Sequence, residues 1–257
     1  MFSIDFSQKT GGNRGIGYAI SNAIAKAGGN LAIFYRSSTN AEKVAAEFAS
    51  KYSIQCKAYQ CDVSVMKQVR ETVAKVVEEM GPISGLVANA GVATVKPALE
   101  IEDREEFDFM FGTNVLGVFN TAQTVARHWV DTGFKQGSIV IISSMSSQIY
   151  NQVGLNNPLC HVFYNSSKAA VSSLGKNLAA EWSQYGIRVN IVSPGYVKTE
   201  QSGVHSEEAR AFQAASVPLQ RYSEPDEQTS QVLLLLSEFS SYQTGSEVFI
   251  DGGCLIY

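Results

Sequence analysis

Short apolar runs alternate with helix-like stretches along the whole chain. The runs predict β-strands at residues 31–35, 55–60, 86–89, 138–143, 188–192 and 247–250. The stretches beside them predict helices at 15–27, 41–52, 65–80, 112–130, 162–185 and 225–239. Because this alternation implies right-handed crossovers, we expect one α/β domain over 1–257, with a doubly wound parallel sheet covered on both faces. Ligands of such sheets bind beyond the carboxyl ends of the strands.

Composition and charge exclude several classes of protein. The formal net charge of −4 argues against a nucleic-acid binder, which usually carries a basic face. The longest aliphatic run near the C-terminus, 232–236, is far shorter than the roughly 20 residues of a membrane span. The start, MFSIDFSQKT, lacks a basic segment followed by an apolar one. We therefore expect a cytoplasmic protein that binds a small molecule and neither a membrane nor nucleic acid.

The cysteines and histidines predict neither disulfides nor a metal site. The four cysteines lack CxxC spacing and are expected to be reduced core thiols: Cys56, Cys61, Cys160 and Cys254. The three histidines are far apart in the sequence and lack the close spacing of metal ligands: His128, His161 and His205.

A glycine-rich loop opens the first predicted helix. Glycines permit tight turning and close approach to a pyrophosphate, and the free N–H groups of a helix start favour its charge. Position at the head of an alternating chain favours this function over a plain turn. The predicted cofactor contacts here are Gly11, Asn13, Arg14, Gly15, Ile16 and Gly17. These features predict a Rossmann-type dinucleotide site.

The end of the second strand predicts which nicotinamide cofactor binds. NAD sites usually place an acid there for the ribose 2′-hydroxyl, but this strand ends Tyr35-Arg36-Ser37. Arg14 and Arg36 could flank a 2′-phosphate, and Ser37 could donate to it. The alternative is that both arginines are ordinary solvated charges. The pattern favours NADP(H).

Tyr164 is a candidate acid/base. It is the only tyrosine with a lysine four residues later, Lys168, and within a helix this spacing puts both side chains on one face. A positive charge about 4–5 Å away favours the phenolate by roughly 3–4 kcal/mol before screening. That effect would lower the phenol pKa from about 10 toward working pH. The alternative is an exposed helix pair of no consequence.

Ser144 follows a predicted strand and could hydrogen-bond a substrate carbonyl at the sheet edge. A serine nucleophile is the rival interpretation, but the chain has no GxSxG elbow. Asn114 is weak evidence on its own, because most helical asparagines are structural or solvated.

Together these residues resemble the short-chain dehydrogenase/reductase family over nearly the whole chain. The matching segments are 11–17, 61–63, 89–91, Asn114, Ser144, 164–168, 187–190, 193–195 and 250–253. The resemblance implies that Tyr164 is the acid/base and that Lys168 holds the nicotinamide ribose and lowers the tyrosine pKa. It also implies that Ser144 orients the carbonyl and that Asn114 anchors a water in a proton relay.

The family resemblance also implies cofactor contacts and an assembly. Asp62 and Val63 would contact adenine, and Asn89 the adjacent ribose. Val197 would contact the carboxamide, and Thr199 the carboxamide or a phosphate. Further contacts are expected at Ala90, Gly91, Pro194 and Gly195. Members are commonly tetramers that pair the helices equivalent to 112–130 and 162–185, so we expect a homotetramer.

A closer resemblance is to fungal-type NADP-dependent mannitol dehydrogenases and sorbose reductases. It is carried by residues 81–86, 143–149, 178–182 and 251–257, and implies interconversion of a ketose and a polyol. Twenty positions separate Ser144 from Tyr164, and this stretch contains amides that could pair substrate hydroxyls: Gln148, Asn151, Gln152, Asn156 and Asn157. The alternative is that these are solvated loop residues.

The first strand departs from the family pattern, since about four apolar residues before the glycine loop are missing. Sliding the upstream segment in would place polar side chains in the sheet centre, at a cost of several kcal/mol if unpaired: Asp5, Ser7, Gln8 and Lys9. A shortened strand implies either a gene-model error in an active protein or a variant that holds cofactor poorly. The alternatives to a sugar oxidoreductase are a broad carbonyl reductase and a non-catalytic nucleotide-binding member.

Overall fold

A seven-stranded parallel sheet forms the centre of the computed structural model, which describes residues 2–6, 15–200, 202 and 205–256. The strand order is β3-β2-β1-β4-β5-β8-β9. The strands are β1 Phe2–Phe6, β2 Leu31–Tyr35, β3 Cys56–Gln60, β4 Gly85–Ala88, β5 Ser138–Ile142, β8 Arg188–Pro194 and β9 Glu247–Ile250. The order reverses between β1 and β4, and ligands of doubly wound sheets bind in the crevice at such a reversal.

Eight α-helices accompany the strands in the described part of the chain. They are α1 Gly15–Lys26, α2 Ala41–Tyr52, α3 Met66–Met80, α4 Glu105–Phe111, α5 Val118–Thr132, α6 Val162–Trp182, α7 Glu207–Ala215 and α8 Thr229–Leu236. Residues of α3, α5 and α6 pack in one hydrophobic cluster, and those of α1, α2 and α8 in a second. The predicted α/β fold with both faces covered is therefore confirmed.

The central strand β5 shows how its sequence serves both clusters. Ile139 and Ile141 pack in the first cluster, whereas Val140 and Ile142 pack in the second. Successive side chains of a strand point to opposite faces, so a strand covered on both sides must be apolar throughout. This requirement explains why the buried strands were recognisable as unbroken apolar runs.

The first strand is present with five residues, the same length as β2, β3 and β5. Phe2–Phe6 pairs in parallel with β2 along its full length, and its first three residues pair with β4. The upstream segment thus enters the sheet despite the predicted cost, and Asp5 takes the register position opposite Phe34. Ser7, Gln8 and Lys9 lie outside the described residues.

Several elements differ from the predicted pattern. The helix predicted from residue 112 begins seven residues earlier as α4, continues through a π-helical turn at Gly112–Gly117 and becomes α5. Helix α7 was not predicted, although the Ser206 hydroxyl accepts a hydrogen bond from Ala209 N–H at its start. A small antiparallel hairpin, β6 Gln152–Gly154 and β7 Asn157–Pro158, occupies the stretch before α6.

Among the described residues we find no helix fit to span a membrane, no disulfide and no cluster of metal ligands. None of the helices in the described part of the chain combines the length and apolarity that crossing a bilayer requires. No disulfide joins the four cysteines. Within the same described part, no group of three or more His, Cys, Asp or Glu side chains is arranged to hold a metal ion.

Candidate active site

A cavity of about 240 Å³ lies at the carboxyl ends of the sheet strands. Its lining combines the start of α1, the loops after β4, β5 and β8, and one face of α6. The predicted site residues that it brings together are Gly15, Ile16, Gly17, Asn89, Gly91, Ser144, Tyr164, Lys168, Pro194, Gly195, Val197 and Thr199. Sheet topology therefore gathers residues from five separate segments around one space.

Tyr164 and Ser144 line this cavity together. Ser144 Oγ accepts a hydrogen bond from Ser146 N–H at 3.1 Å. Burial raises the pKa of Tyr164, and its interaction with the Ser144 hydroxyl opposes part of that rise. A phenol in this setting keeps its proton at neutral pH.

Lys168 lies on the same face of α6 as Tyr164, with Nζ 5.7 Å from the centroid of the tyrosine ring. Nζ donates to the Ile142 carbonyl at 3.0 Å, and the residue is only 5% exposed. Burial lowers the pKa of Lys168 to about 8. The prediction that this ammonium brings the tyrosine pKa down is therefore corrected, since loss of solvation dominates at both side chains.

Asn114 sits in the π-helical turn and is fully buried. Its Oδ1 accepts from Val92 N–H at 2.7 Å, and its Nδ2 donates to the Val92 carbonyl at 2.9 Å and to Ser167 Oγ at 2.9 Å. The amide thus ties the loop after β4 to helix α6. At neighbouring Gly91 a Cβ would lie 3.4 Å from Lys168 Nζ and 3.6 Å from Asn114 Oδ1.

The start of α1 has the shape that a dinucleotide requires. Gly15 has φ of 76°, which favours glycine, and a Cβ there would lie 3.3 Å from Thr199 Cγ2. The backbone of α1 can therefore approach a phosphate closely, at the positive end of the helix dipole. These residues fit a dinucleotide. Gly11, Asn13 and Arg14, also predicted to contact the cofactor, lie outside the described residues.

Other predicted cofactor residues do not line the cavity. Asp62 accepts from Ser64 N–H at 3.0 Å and from Ser64 Oγ at 2.6 Å. Val63 is buried beside α5, where its carbonyl accepts from Asn120 Nδ2 at 2.8 Å. The remaining members of this group are Arg36, Ser37 and Ala90, of which Ala90 is a core residue.

Arg36 follows β2, as predicted, but the sequence did not predict its neighbour. Its guanidinium carbon lies 5.6 Å from the ring centroid of Phe109, a residue of α4. An aromatic ring at this distance attracts a guanidinium and limits its rotation. Helix α4 therefore helps to place Arg36, and the sequence analysis had left this helix out.

Only one of the five predicted amides reaches the cavity. Asn151 is buried and lines the wall, where its Oδ1 accepts from Ser146 Oγ at 2.7 Å. Gln152 lies outside the lining, and its Nε2 donates to the Tyr150 hydroxyl at 3.1 Å. The other three are exposed: Gln148, Asn156 and Asn157. The hairpin turns these side chains away from the substrate space, so the interpretation as solvated loop residues holds for them.

The cavity lining also contains residues that the sequence analysis missed as site residues. They include two histidines and a hydrogen-bonded pair from α7 and the segment after it: His161, His205, Gln213 and Tyr222. Gln213 Nε2 donates to the Gln152 carbonyl at 2.9 Å, and its Oε1 accepts from the Tyr222 hydroxyl. No local motif marks these positions, because their proximity depends on how α7 packs on the hairpin.

Comparison with known proteins relates this geometry to a family. A family model described as enoyl-(acyl carrier protein) reductase matches residues 11–254. A sorbose reductase of Schizosaccharomyces pombe is 38% identical over 95% of this chain and 93% of its own length. An NADP-dependent mannitol dehydrogenase of Alternaria alternata is 35% identical over 94% of this chain and 88% of its own length.

The chain belongs to the short-chain dehydrogenase/reductase family. Among solved structures, an NADPH-dependent 3-quinuclidinone reductase from Rhodotorula rubra superposes with a TM-score of 0.88 at 31% identity, covering all of this chain and 91% of the other. Membership confirms the predicted resemblance and the predicted fold. The individual roles assigned to Tyr164, Ser144, Lys168 and Asn114 remain predictions.

Proposed function

We propose that this short-chain dehydrogenase/reductase interconverts a ketose and a polyol by hydride transfer with NADP(H). The observation that carries the proposal is that Tyr164, Ser144 and buried Lys168 line the same cavity as the glycine start of α1. Acid/base groups and a dinucleotide-shaped crevice thus share one space. Membership in a family of oxidoreductases supports the same chemistry at the coarser level.

The proposed mechanism assigns the proton to Tyr164. In reduction, the carbonyl carbon receives a hydride while the Tyr164 hydroxyl donates its proton to the carbonyl oxygen. The nicotinamide nucleotide supplies that hydride when bound. Burial raises the pKa of Tyr164, so the group is protonated and ready to donate at neutral pH. The Ser144 hydroxyl orients the oxygen and stabilises its developing charge.

Lys168 and Asn114 support the proton transfer from Tyr164 indirectly. A protonated Lys168 near the phenol offsets the negative charge that remains on Tyr164 after proton transfer. Asn114 uses both ends of its amide to hold Val92 and Ser167. That arrangement fixes the loop carrying Gly91 against the lysine. We keep the predicted proton relay through Asn114 as part of the proposal.

The cofactor assignment rests on the relatives and on β2. The Alternaria alternata relative and the Rhodotorula rubra structure are named for NADP and NADPH. Strand β2 is followed by Arg36 and Ser37 in place of an acid. Stacking of Arg36 on Phe109 places a guanidinium at the strand end, where it would pair a 2′-phosphate. The groups that would hold the rest of the nucleotide are Gly15, Ile16, Gly17, Asn89 and Thr199.

The substrate assignment rests on two relatives named for sorbose and mannitol. A second candidate is a broader carbonyl reductase, favoured by the likeness to the 3-quinuclidinone reductase. A homotetramer also remains a prediction. Exposed apolar side chains on the expected pairing helices support it: Leu116, Val130 and Val162.

The test is NADPH oxidation measured with fructose, sorbose and a hydroxyl-free ketone, for the wild type and for Tyr164→Phe. This change removes only the phenolic hydroxyl. We expect a loss of kcat of about 10²–10⁴-fold with the NADPH affinity unchanged, as followed by nucleotide fluorescence. Turnover of fructose and sorbose no better than that of the ketone would reject the ketose assignment. Faster turnover with NADH than NADPH would reject the cofactor.

A further inference from the structure

Two histidines from distant parts of the chain face the same cavity. His161 is the N-cap residue of α6, and its ring centroid lies 5.4 Å from that of Tyr164. His205 lies immediately before Ser206, the N-cap of α7. Both line the cavity, and His205 is close enough to His161 to contribute to the lowering of its pKa. We call these two residues the histidine pair.

The pair differs from its polar neighbours in having hydrogen-bonding capacity left over. Asn151 and Gln213 are buried, and each is hydrogen-bonded to other parts of the protein. Across the part of the chain that the structure describes, no hydrogen bond involves the imidazole of either histidine. Polar groups facing an enclosed space usually find partners, so these rings are suited to pair with a ligand.

The charge of the two imidazole rings determines which kind of ligand they can bind. Burial, with a contribution from His205, lowers the pKa of His161 to about 4. Burial and nearby Arg210 lower the pKa of His205. A neutral imidazole has one donor and one acceptor nitrogen, the same combination that a hydroxyl group offers. A pair of such rings therefore matches hydroxyl groups on neighbouring carbons better than it matches a carboxylate.

The surroundings agree with an uncharged ligand. Glu200 supplies an acidic side chain to the lining of the same cavity, which disfavours an anion. Arg210 is close enough to His205 to lower its pKa, and it borders a separate surface depression. The pair is also close to the reacting group, since His161 precedes Tyr164 by three residues on the same helix start. A substrate whose carbonyl contacts Tyr164 would extend its next carbons past these rings.

We propose that His161 and His205 bind hydroxyl groups of an uncharged ketose or polyol next to the reacting carbon, and so select sugars over simple ketones. This inference rests on the proposed function, because it names the substrate contacts of the same site. It assigns specificity to residues that have no proposed role in binding the cofactor or in proton transfer. Selection arises because a hydroxyl-free ketone leaves both rings unpaired in a partly dry wall.

The experiment compares two substrates across matched histidine variants. His161→Phe, His205→Phe and the double variant remove the nitrogens while keeping an aromatic ring. His128→Phe is the control, since His128 lies on α5 away from the cavity. We expect each single change to lower kcat/KM for fructose or sorbose about tenfold, and the double change about 100-fold. For the hydroxyl-free ketone we expect less than about a threefold change in every variant.

A conservative variant separates recognition from folding. His161→Gln keeps a donor and an acceptor on its side chain, and should retain more ketose preference than His161→Phe. Equal losses on both substrates, or unchanged ketose turnover, would overturn the role of the pair. A wild type that prefers an anionic keto-sugar acid over fructose and sorbose would overturn the uncharged ligand.

Failure of the proposed function gives a different result. A wild type that reduces only the hydroxyl-free ketone removes the ketose assignment and the inference together. A wild type that prefers ketoses, with variants that keep the same preference, removes the inference alone. Tm and NADPH binding of each variant show whether a loss comes from the fold.

Discussion

The cavity has two walls that differ in origin and in physics. The inner wall consists of Ser144, Tyr164 and Lys168. Ser144 follows the end of strand β5, and the other two residues lie on the long helix α6. The outer wall, His161, His205 and Gln213, comes from helix starts, a loop and the short helix α7. Ser144 and Lys168 of the inner wall are hydrogen-bonded to backbone groups, whereas the side chains of the outer-wall histidines have no such bonds among described residues.

This difference assigns proton transfer to the inner wall and substrate selection to the outer wall. Proton transfer requires positions fixed to within a fraction of an ångström, and strand ends together with a 21-residue helix provide them. Recognition of a sugar requires groups that remain available for a ligand, and loops can vary without disturbing the sheet. The inner wall should therefore control kcat, and the outer wall should control KM and preference.

The largest effect is expected at Lys168. Replacing it by methionine removes the buried ammonium, and we expect kcat/KM to fall by about 10³-fold. Stability should change in the opposite sense. The pKa of Lys168 is about 8 in the folded protein, below the unfolded value, so the charged form destabilises the fold by about 3 kcal/mol below pH 8. Replacing Lys168 by methionine therefore removes this destabilisation. The same change also removes the hydrogen bond to the Ile142 carbonyl, which offsets part of the gain in stability. We therefore expect Tm to rise by about 2–5 °C.

The control for this prediction is the same substitution about two turns further along α6. Lys176 is half exposed and pairs at 2.9 Å with Glu247, whose side chain is only 5% exposed. Lys176→Met should lower Tm, because it leaves a buried carboxylate without its ion partner. The Lys168→Met gain should shrink as pH rises from 8 toward 10.5, where the lysine is neutral in both states. A lower Tm for Lys168→Met at pH 7 would contradict the destabilising burial.

The second effect is the pH dependence of reduction, measured as kcat/KM between pH 5 and 10. Loss of the Lys168 proton near pH 8 should lower kcat/KM about tenfold per pH unit above that value. Tyr164, with its pKa raised by burial, keeps its proton over that range. His161 should contribute nothing between pH 5 and 7, since its pKa is about 4. A limb near pH 6 would mean that an imidazole titrates during turnover and that the walls are coupled.

The smallest effect is expected at Gln213 in the outer wall. Gln213→Leu leaves the Gln152 carbonyl and the Tyr222 hydroxyl without this partner. We expect a loss of about 1–3 kcal/mol of stability, and a KM for ketoses raised severalfold as α7 loosens from the hairpin. The value of kcat should stay within about twofold. Asn156→Gly, at an exposed position with φ of 53°, is the control and should change neither constant. A fall in kcat alone would show that α7 also positions Tyr164.

The inner wall was predictable from sequence because each of its parts has a local signal. An apolar run followed by serine placed Ser144 at a strand end, and a four-residue spacing placed Tyr164 and Lys168 on one helix face. The shifted pKa values were not predictable, because they depend on how much solvent the fold removes. The sequence predicted a lowered tyrosine pKa from one nearby charge, and burial outweighed that charge.

The outer wall lacked such signals. His161 and His205 are 44 positions apart, and nothing near either one indicates a shared cavity. Helix α7 did have a signal at its start, Ser206 followed by Glu207 and Glu208, which is typical of a capped helix. Helix α4 is aromatic and acidic without clear periodicity, so its start could not be separated from the preceding loop. The N-terminal strand was predicted to be shortened, whereas Phe2–Phe6 has the same five-residue length as β2 and β3.

Because of the π-helical turn at Gly112–Gly117, the geometry of the site depends on the number of residues in this segment. A π-helical turn contains one more residue than an α-helical turn, and that spare residue aims Asn114 at both polar groups of Val92. Deleting a single residue between 112 and 117 would restore regular winding and rotate Asn114 by about 100°. The hydrogen bonds between Asn114 and Val92 would be lost, although every remaining side chain is unchanged. A one-residue deletion in this turn should therefore disturb the site more than a substitution at the exposed Leu116.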